Sequence, residues 1–437
     1  MAEPEQPAWV ATWAFGRAVV VVGVLILLAA LSGRVDLVVL AAPFALGTAL
    51  SLRRRPSTVP RVTLAQADPF VAEGAEIGAA VTVTNPDPVG LDLALVRVHM
   101  SPWLQVRHGD RPYAAAVPAG KSTLIALEGP AVRWGRHALG PALVYGVSAD
   151  GLLISLPGEA PATGVKVYPV ADVFEADEAM PRAAGMVGAH RSRRPGEGGE
   201  LAGVRQYSPG DRLRRIDWRV TLRTRQLHVV ATLSDRDAEV VLLLDVLSEA
   251  GRSGGIGGAA SVLDTTVRAA AAIAEHYLHR GDRVSLLEYG YRARRLPPAS
   301  GRRQYLRVLE WLLDVRASGG EYEPSAGAFG THLLSANALV VVLTPLLDLR
   351  SAAMIARLAR SGRFVVAVDT LTSDVRVSRF GPWSAVAYRL WRLDRDNVIG
   401  QLREHGVPVV SWAGAGSLDQ VLRDISRLAA APRAGVR

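Results

Sequence analysis

Hydrophobic and polar positions change rhythm three times along the chain, and each rhythm predicts a different kind of element. From Trp9 to Leu31 (WVATWAFGRAVVVVGVLILLAAL) every residue is apolar or small except Thr12 and Arg17. That length approaches the roughly 20 residues a helix needs to cross a bilayer. A second apolar run, Leu37 to Leu52, follows after SGRVD. At about 1.5 Å per residue it reaches about 24 Å, short of a roughly 30 Å hydrocarbon core, so it is expected to lie partly in the interface. Together the two runs predict a transmembrane helical hairpin over residues 1–55.

Beyond it the rhythm shortens to two. Arg61 to Ala67 (RVTLAQA), Ile77 to Asn85 (IGAAVTVTN), Leu91 to Met100 (LDLALVRVHM) and Ser122 to Gly129 (STLIALEG) alternate apolar with polar residues, the pattern of half-buried strands. Turn residues separate them (Asn85-Pro86-Asp87-Pro88, His108-Gly109-Asp110, Pro118-Ala119-Gly120), which predicts a β-sandwich-like module of immunoglobulin size over residues 56–180.

From Glu239 a third pattern sets in, with continuous apolar runs separated by helical stretches. Strands at Glu239 to Leu244, VSLLEYG, ALVVVLT, FVVAVDT and VPVVSW alternate with helices near 261–280, 302–315, 351–361, 390–405 and 417–430. This order predicts an α/β doubly wound parallel sheet over residues 236–437. Residues 181–235 are left between the modules as a basic linker and motif segment.

Charge sharpens that division. The formal charge is +9, and between Arg182 and Arg225 eleven arginines face four acids, so one segment carries most of the basicity. Only Lys121 and Lys166 are lysines among the 50 basic residues, a coding bias of GC-rich bacteria. The first residues are acidic (Glu3, Glu5), which argues against a cleaved signal peptide, and Arg53, Arg54 and Arg55 close the second apolar run. By the positive-inside rule they place the modules on the cytoplasmic face of the bacterial inner membrane.

Candidate chemistry is sparse. With no cysteine, disulfides, thiolate zinc sites and cysteine nucleophiles are excluded. Ala115 to Ser122 (AAVPAGKS) loosely resembles a phosphate-binding loop, but a strand follows it instead of a helix, so a hairpin turn is expected. GGIGGAA (Gly254 to Ala260) starts too far after its strand to be a dinucleotide fingerprint, and is expected to be a flexible loop. Glu275, His276 and His279 share one helix without a third His ligand, and a solvated face is expected. No serine elbow and no convergent His–carboxylate set appears, so the chain is expected not to be an enzyme.

The segment ELAGVRQYSPGDRLRRIDWRVTLRTRQLHVV is the most distinctive string. Its Arg205, Tyr207, Pro209, Gly210, Asp211, Arg214, Ile216, Asp217 and Trp218 fill every fixed position of R-x-Y-x-P-G-D-x-x-R-x-I-D-W, and the chain thereby resembles the bacterial DUF58 family. WGRHALGP and SADGLL echo the region that precedes this signature in the family. Two readings of the segment compete: an Arg–carboxylate network that braces the domain junction, favoured for Asp211, Arg214, Asp217 and Trp218, and a docking surface for an acidic partner. Nucleic acid is not expected as a partner.

The resemblance implies that the last module is similar to a von Willebrand factor A domain, in which D-x-S-x-S, a distal Thr and an Asp hold a divalent cation. Here Leu247 and Glu249 replace the two serines and Pro345 replaces the distal Asp. A degenerate site is therefore expected, with no cofactor, or at most Mg²⁺ or another divalent ion held by Asp245, Ser248, Glu249 and Asp348. The resemblance further implies a membrane-anchored, non-enzymatic interaction or assembly protein that works as an adaptor with a MoxR-type AAA+ ATPase. The alternative is a structural protein of the cell envelope or septum that needs no ATPase.

Overall fold

A computed structural model of the chain describes residues 8–108, 111–170, 195–208, 216–233, 239–319, 338–371 and 383–412, together with Pro324 and Leu334. The chain divides into two compact units, Met1–Tyr168 and Pro169–Arg437.

The first unit opens with a short strand, β1 (Trp9–Ala11), before helices α1 (Trp13–Ser32) and α2 (Asp36–Leu52). Strands β2 (Arg61–Gln66), β3 (Phe70–Ala72), β4 (Glu76–Thr84), β5 (Leu91–Met100) and β6 (Tyr113–Val117) follow. The unit closes with β7 (Ser122–Pro130), β8 (Gly135–Ser148), β9 (Leu153–Ser155), β10 (Gly158–Ala160) and β11 (Thr163–Tyr168). The periodic segments of the sequence thus appear as β2, β4, β5 and β7.

The apolar helix does not begin at Trp9. Trp9–Ala11 pairs antiparallel with Leu153–Ser155 of β9, and the Trp9 indole is buried among the strand residues, its Nε1 donating to Thr58 O at 3.2 Å. Burying the indole with its N–H satisfied outweighs one more turn of apolar helix. Thr12 then fixes the start of α1: its Oγ1 accepts from Phe15 N at 3.4 Å and donates to Gly151 O at 2.8 Å. At the far end Gly33 adopts a left-handed conformation (φ +69°) that ends α1 and lets α2 turn back against it.

α1 is long and apolar enough to cross a membrane, whereas α2 is a shorter apolar helix of 17 residues. Most of their large apolar side chains are exposed, Val20 at 62%, Leu27 at 59% and Leu46 at 62% among them. A helix apolar all round with so little of it covered by protein is suited to lipid.

The strands form an eight-stranded sheet built around β8 and a three-stranded sheet ordered β2-β4-β7. Their inner faces meet in one core that includes Val81, Val83 and Leu127 from the small sheet and Val96, Val98, Leu139 and Val144 from the large one. The sequence alternates because each strand buries one face here and wets the other. The loop inside Ala115–Ser122 is not a hairpin: β6 pairs with β5 in the large sheet and β7 with β4 in the small one, so the turn carries the chain between sheets.

The second unit starts with β12 (Pro195–Gln206), helix α3 (Trp218–Thr224) and β13 (His228–Leu233), with β12 and β13 paired antiparallel. Then come β14 (Glu239–Asp245), α4 (Val262–His279), β15 (Arg283–Tyr289), β16 (Arg295–Ala299), α5 (Arg302–Leu312), β17 (Leu339–Thr344), α6 (Leu349–Arg360), β18 (Phe364–Asp369), α7 (Ser384–Glu404) and β19 (Val409–Ser411).

Their sheet is ordered β16-β15-β14-β17-β18-β19, parallel except for β16, which pairs antiparallel with β15 at the edge. β16 departs from the expected all-parallel order. Its Pro297 and Pro298 lack ladder donors, which confines such a strand to an edge and hides it from a reading by periodicity. On one face Val241, Leu243, Val340 and Val342 pack with Met354, Ile355 and Leu358 of α6 and Leu402 of α7. Val240, Leu242 and Leu244 point the other way and are also fully buried, against the side from which α4 contacts β14, β15 and β17.

Ser261 and Asp264 form a capping box at the start of α4, a device worth about 1 kcal/mol. That cap, sixteen residues beyond Asp245, is why the helix cannot present a phosphate site to the strand end. Instead Gly254 N donates to Ala259 O at 2.7 Å, which closes the GGIGGAA segment into a compact loop. The expected helix at 417–430 lies outside the described residues, as does most of 319–327.

Candidate functional site

Parallel strands end together, so the second unit brings several strand-final polar residues to one edge of its sheet. The register sets Asp245 beside Tyr289, Thr344 beside Asp369, and Asp369 beside Ser411. In open α/β sheets this carboxyl edge is where ligands and partners are met.

At its centre lies Asp245, 2% exposed. Thr344 Oγ1 donates to its Oδ2 at 2.6 Å, and the backbone N–H of Leu247 donates to its Oδ1 at 3.1 Å. Burial raises the Asp245 carboxyl above the usual range, and the nearby charge of Asp348 adds to the rise. The hydroxyls of Ser351 and Thr344 and the Leu247 N–H offset part of it. Ser351 Oγ is itself buried without a partner at hydrogen-bonding geometry, although it lies close to this carboxylate.

The loop after β17 is strained around the same point. Leu346 holds φ at +49°, a left-handed conformation that a leucine adopts at a cost of about 1 kcal/mol. Its N–H donates to Thr344 Oγ1 at 3.0 Å, and its side chain is 6% exposed. Arg395 of α7 braces this loop: it donates to Pro345 O from Nε at 3.2 Å and from Nη2 at 3.0 Å, and pairs with Asp369 Oδ1 at 2.6 Å. Behind it Thr266 Oγ1 of α4 donates to Thr370 Oγ1 at 2.9 Å, joining helix and strand end.

The four residual cation-ligand candidates are not brought to one point. Asp348 caps α6 and pairs with Arg350 at 2.6 Å, which holds its carboxyl below the usual range. Glu249 Oε1 accepts from Leu263 N at 3.3 Å, toward the start of α4, and Ser248 is half-buried. Among the described residues no three metal-binding side chains converge. The donor set here fits a divalent ion poorly: Asp245 is engaged by a hydroxyl and an N–H, Asp348 and Asp369 by guanidinium groups.

The signature segment is described only in part. Pro209, Gly210, Asp211 and Arg214 lie outside the described residues. Tyr207 N donates to Leu227 O at 2.8 Å, Ile216 forms a bridge with Val229, and Arg205 stands in β12 opposite Val229. Asp217 is the N-cap of α3, its Oδ1 accepting from Arg219 N at 3.0 Å and Val220 N at 3.1 Å. Trp218, expected inside an Arg network, is 62% exposed. The bracing reading is corrected for these two residues: the carboxylate caps a helix and the indole faces outward, because the cap fixes the helix start and Thr221, one turn from it, docks on His228.

His276 also departs from expectation. It is 7% exposed and lies edge-on to Tyr277, with its pKa pushed down to about 4, chiefly by burial. It belongs to the buried side of α4, not to a solvated face. Thr344, Ser351, Asp369 and Arg395 were not expected at the site. Thr344 and Asp369 carry a usable signal, since each is the polar residue that ends a fully apolar strand (LVVVLT, FVVAVD).

These features define a two-unit protein with an N-terminal apolar helix, a two-sheet β module and a mixed α/β sheet closed at its carboxyl edge. Residues 203–376 match the model of the family described as Protein of unknown function DUF58. Among curated relatives, the uncharacterized proteins Rv1480 of Mycobacterium tuberculosis and Mb1516 of Mycobacterium bovis are each 35% identical over 127 residues, 29% of this chain. The match spans 39% of those relatives' length.

Solved structures resemble the chain only weakly. The CARDB domain of a Pyrococcus furiosus protein is 15% identical with a TM-score of 0.19, covering 26% of this chain and 93% of that one. A cohesin module from a Clostridium perfringens family 33 glycoside hydrolase is 17% identical with a TM-score of 0.19, covering 26% and 98%. The two-sheet description of the β module rests on its own strand pairing.

Proposed function

We propose that this chain is a membrane-anchored, non-enzymatic interaction protein whose α/β module, similar to a von Willebrand factor A domain, works as an adaptor for a MoxR-type AAA+ ATPase. The observation that carries the anchoring is the path of the chain: β1 lies in the β module, α1 leaves it, and α2 returns to β2 of the same module. If α1 crosses the bilayer, α2 must cross back, and its 17 residues, about 25 Å, suffice with local thinning of the lipid. Arg53 to Arg55 then hold both units on the cytoplasmic side.

The adaptor role draws on the sheet edge. Its carboxylates are engaged by internal donors, a construction suited to holding a fixed shape for a partner. Co-expression with a MoxR-type ATPase tests the role: the two co-purify from membranes, and exchanging the 345–349 loop for a glycine linker abolishes the association. Absence of co-purification for the native chain refutes the adaptor reading.

A further inference from the structure

Helix α3 has one seated side and one exposed side. Thr221 Oγ1 accepts from His228 N at 3.0 Å and Thr224 Oγ1 meets His228 Nδ1 at 3.1 Å, so the Thr221–Thr224 side is seated on β13. Trp218 and Leu222, one helical turn apart, are rotated off that side and stand 62% and 77% exposed. Arg219 and Arg223 form the adjoining exposed row. Leu227, in the turn that follows, is 45% exposed. The one acid of this described stretch, Asp217, is spent on capping the helix.

We propose that this face docks on an anionic bilayer surface, so that the signature helix is a second, reversible membrane contact besides the α1–α2 anchor; the proposal rests on the anchoring reading above. Three observations favour lipid over a protein. Trp and Leu beside a row of Arg is the composition of a helix that lies in the headgroup region, where the indole is favoured and guanidinium groups meet lipid phosphates. A helix of seven residues, about 10 Å long, presents far less than the roughly 800 Å² per partner that a stable protein interface needs. A lipid contact made by a chain already tethered to the bilayer needs no such area, because the tether supplies the effective concentration.

The chain has no cysteine, so one introduced thiol reports one position. A nitroxide at Leu222→Cys and, separately, at Val24→Cys in α1 is read in the full chain, reconstituted in phosphatidylcholine nanodiscs with or without phosphatidylglycerol. Collision with oxygen against a nickel chelate distinguishes lipid from water. The expected result is a lipid environment at position 24 in both discs, and at position 222 an aqueous environment in the neutral disc that turns lipid-like in the anionic one. Arg219→Glu with Arg223→Glu should return position 222 to water. Position 222 aqueous in both discs, with position 24 in lipid, overturns the proposal; position 24 in water overturns the anchoring and the proposal with it.

Discussion

Asp87 in the first unit and Asp245 in the second are both 2% exposed, and the two are treated in opposite ways. Around Asp87 burial raises the pKa, but the N–H groups of Thr58, Val89 and Ser57 and the Ser57 hydroxyl overcome it and hold the carboxyl down at about 2. Around Asp245 burial prevails and the pKa rises. The first is an ionised clamp: Ser57 N and Thr58 N reach its Oδ2 at 2.7 and 2.9 Å, tying the chain that leaves α2 to the β module. The second is a strand-end carboxyl under electrostatic tension at the edge where a partner is expected. A buried charge that is fully solvated by donors stabilises, and one that is not is retained at a cost.

The strongest way to break this contrast is to remove the clamp. Asp87→Ala leaves buried N–H groups without an acceptor and is expected to cost about 3 kcal/mol in the first unit, read by denaturation of the full chain in detergent micelles. Acid titration has a somewhat smaller effect. A carboxyl whose folded pKa is depressed contributes stability above its unfolded value, here 3.8, and loses it as the pH falls through the folded value near 2. About 2 kcal/mol should therefore disappear between pH 4 and 2 in the native chain, and Asp87→Asn should abolish that slope.

Asp245 predicts the opposite sign. Its raised pKa favours the folded state at low pH and penalises it as the pH rises through the folded value, so Asp245→Asn should raise the melting point near pH 8 and lose that gain toward pH 4. A lowered melting point at pH 8 would show that the ionised group is needed. The smallest expected effect is that of metal: titrating the full chain with Mg²⁺, Mn²⁺ or Ca²⁺ should release no heat. Binding that vanishes in Asp245→Ala would restore a cation to the edge. The full chain is required, since a fragment that starts after α2 lacks Trp9 and β1.

Much of the fold was legible because its signals are local. The apolar helices, the alternating strands and the strand–helix order of the second unit depend on burial patterns within 6 to 20 residues. What escaped depends on partners far along the chain. Trp9–Ala11 is a strand only because Leu153–Ser155 lies beside it, and β16 is a strand only as the edge of β15. The candidate site divides likewise. Asp245 and Asp348 follow from motif comparison, whereas Thr344 and Asp369 become neighbours only through the parallel register, and Arg395 reaches them from a helix over an unrelated stretch of sequence. The arginines near Trp218 suggest an enclosed indole, but cap geometry, not charge, decides which way α3 faces.

An anchored architecture requires that the two apolar helices cross the membrane and return. Single cysteines at Arg34→Cys, in the turn between α1 and α2, and at Arg54→Cys, just after α2, can be tested with a membrane-impermeant maleimide on intact spheroplasts and on inverted vesicles. The predicted result is labelling of position 34 from the outer face alone and of position 54 from the cytoplasmic face alone. Labelling of both positions from the same face would contradict the anchored architecture.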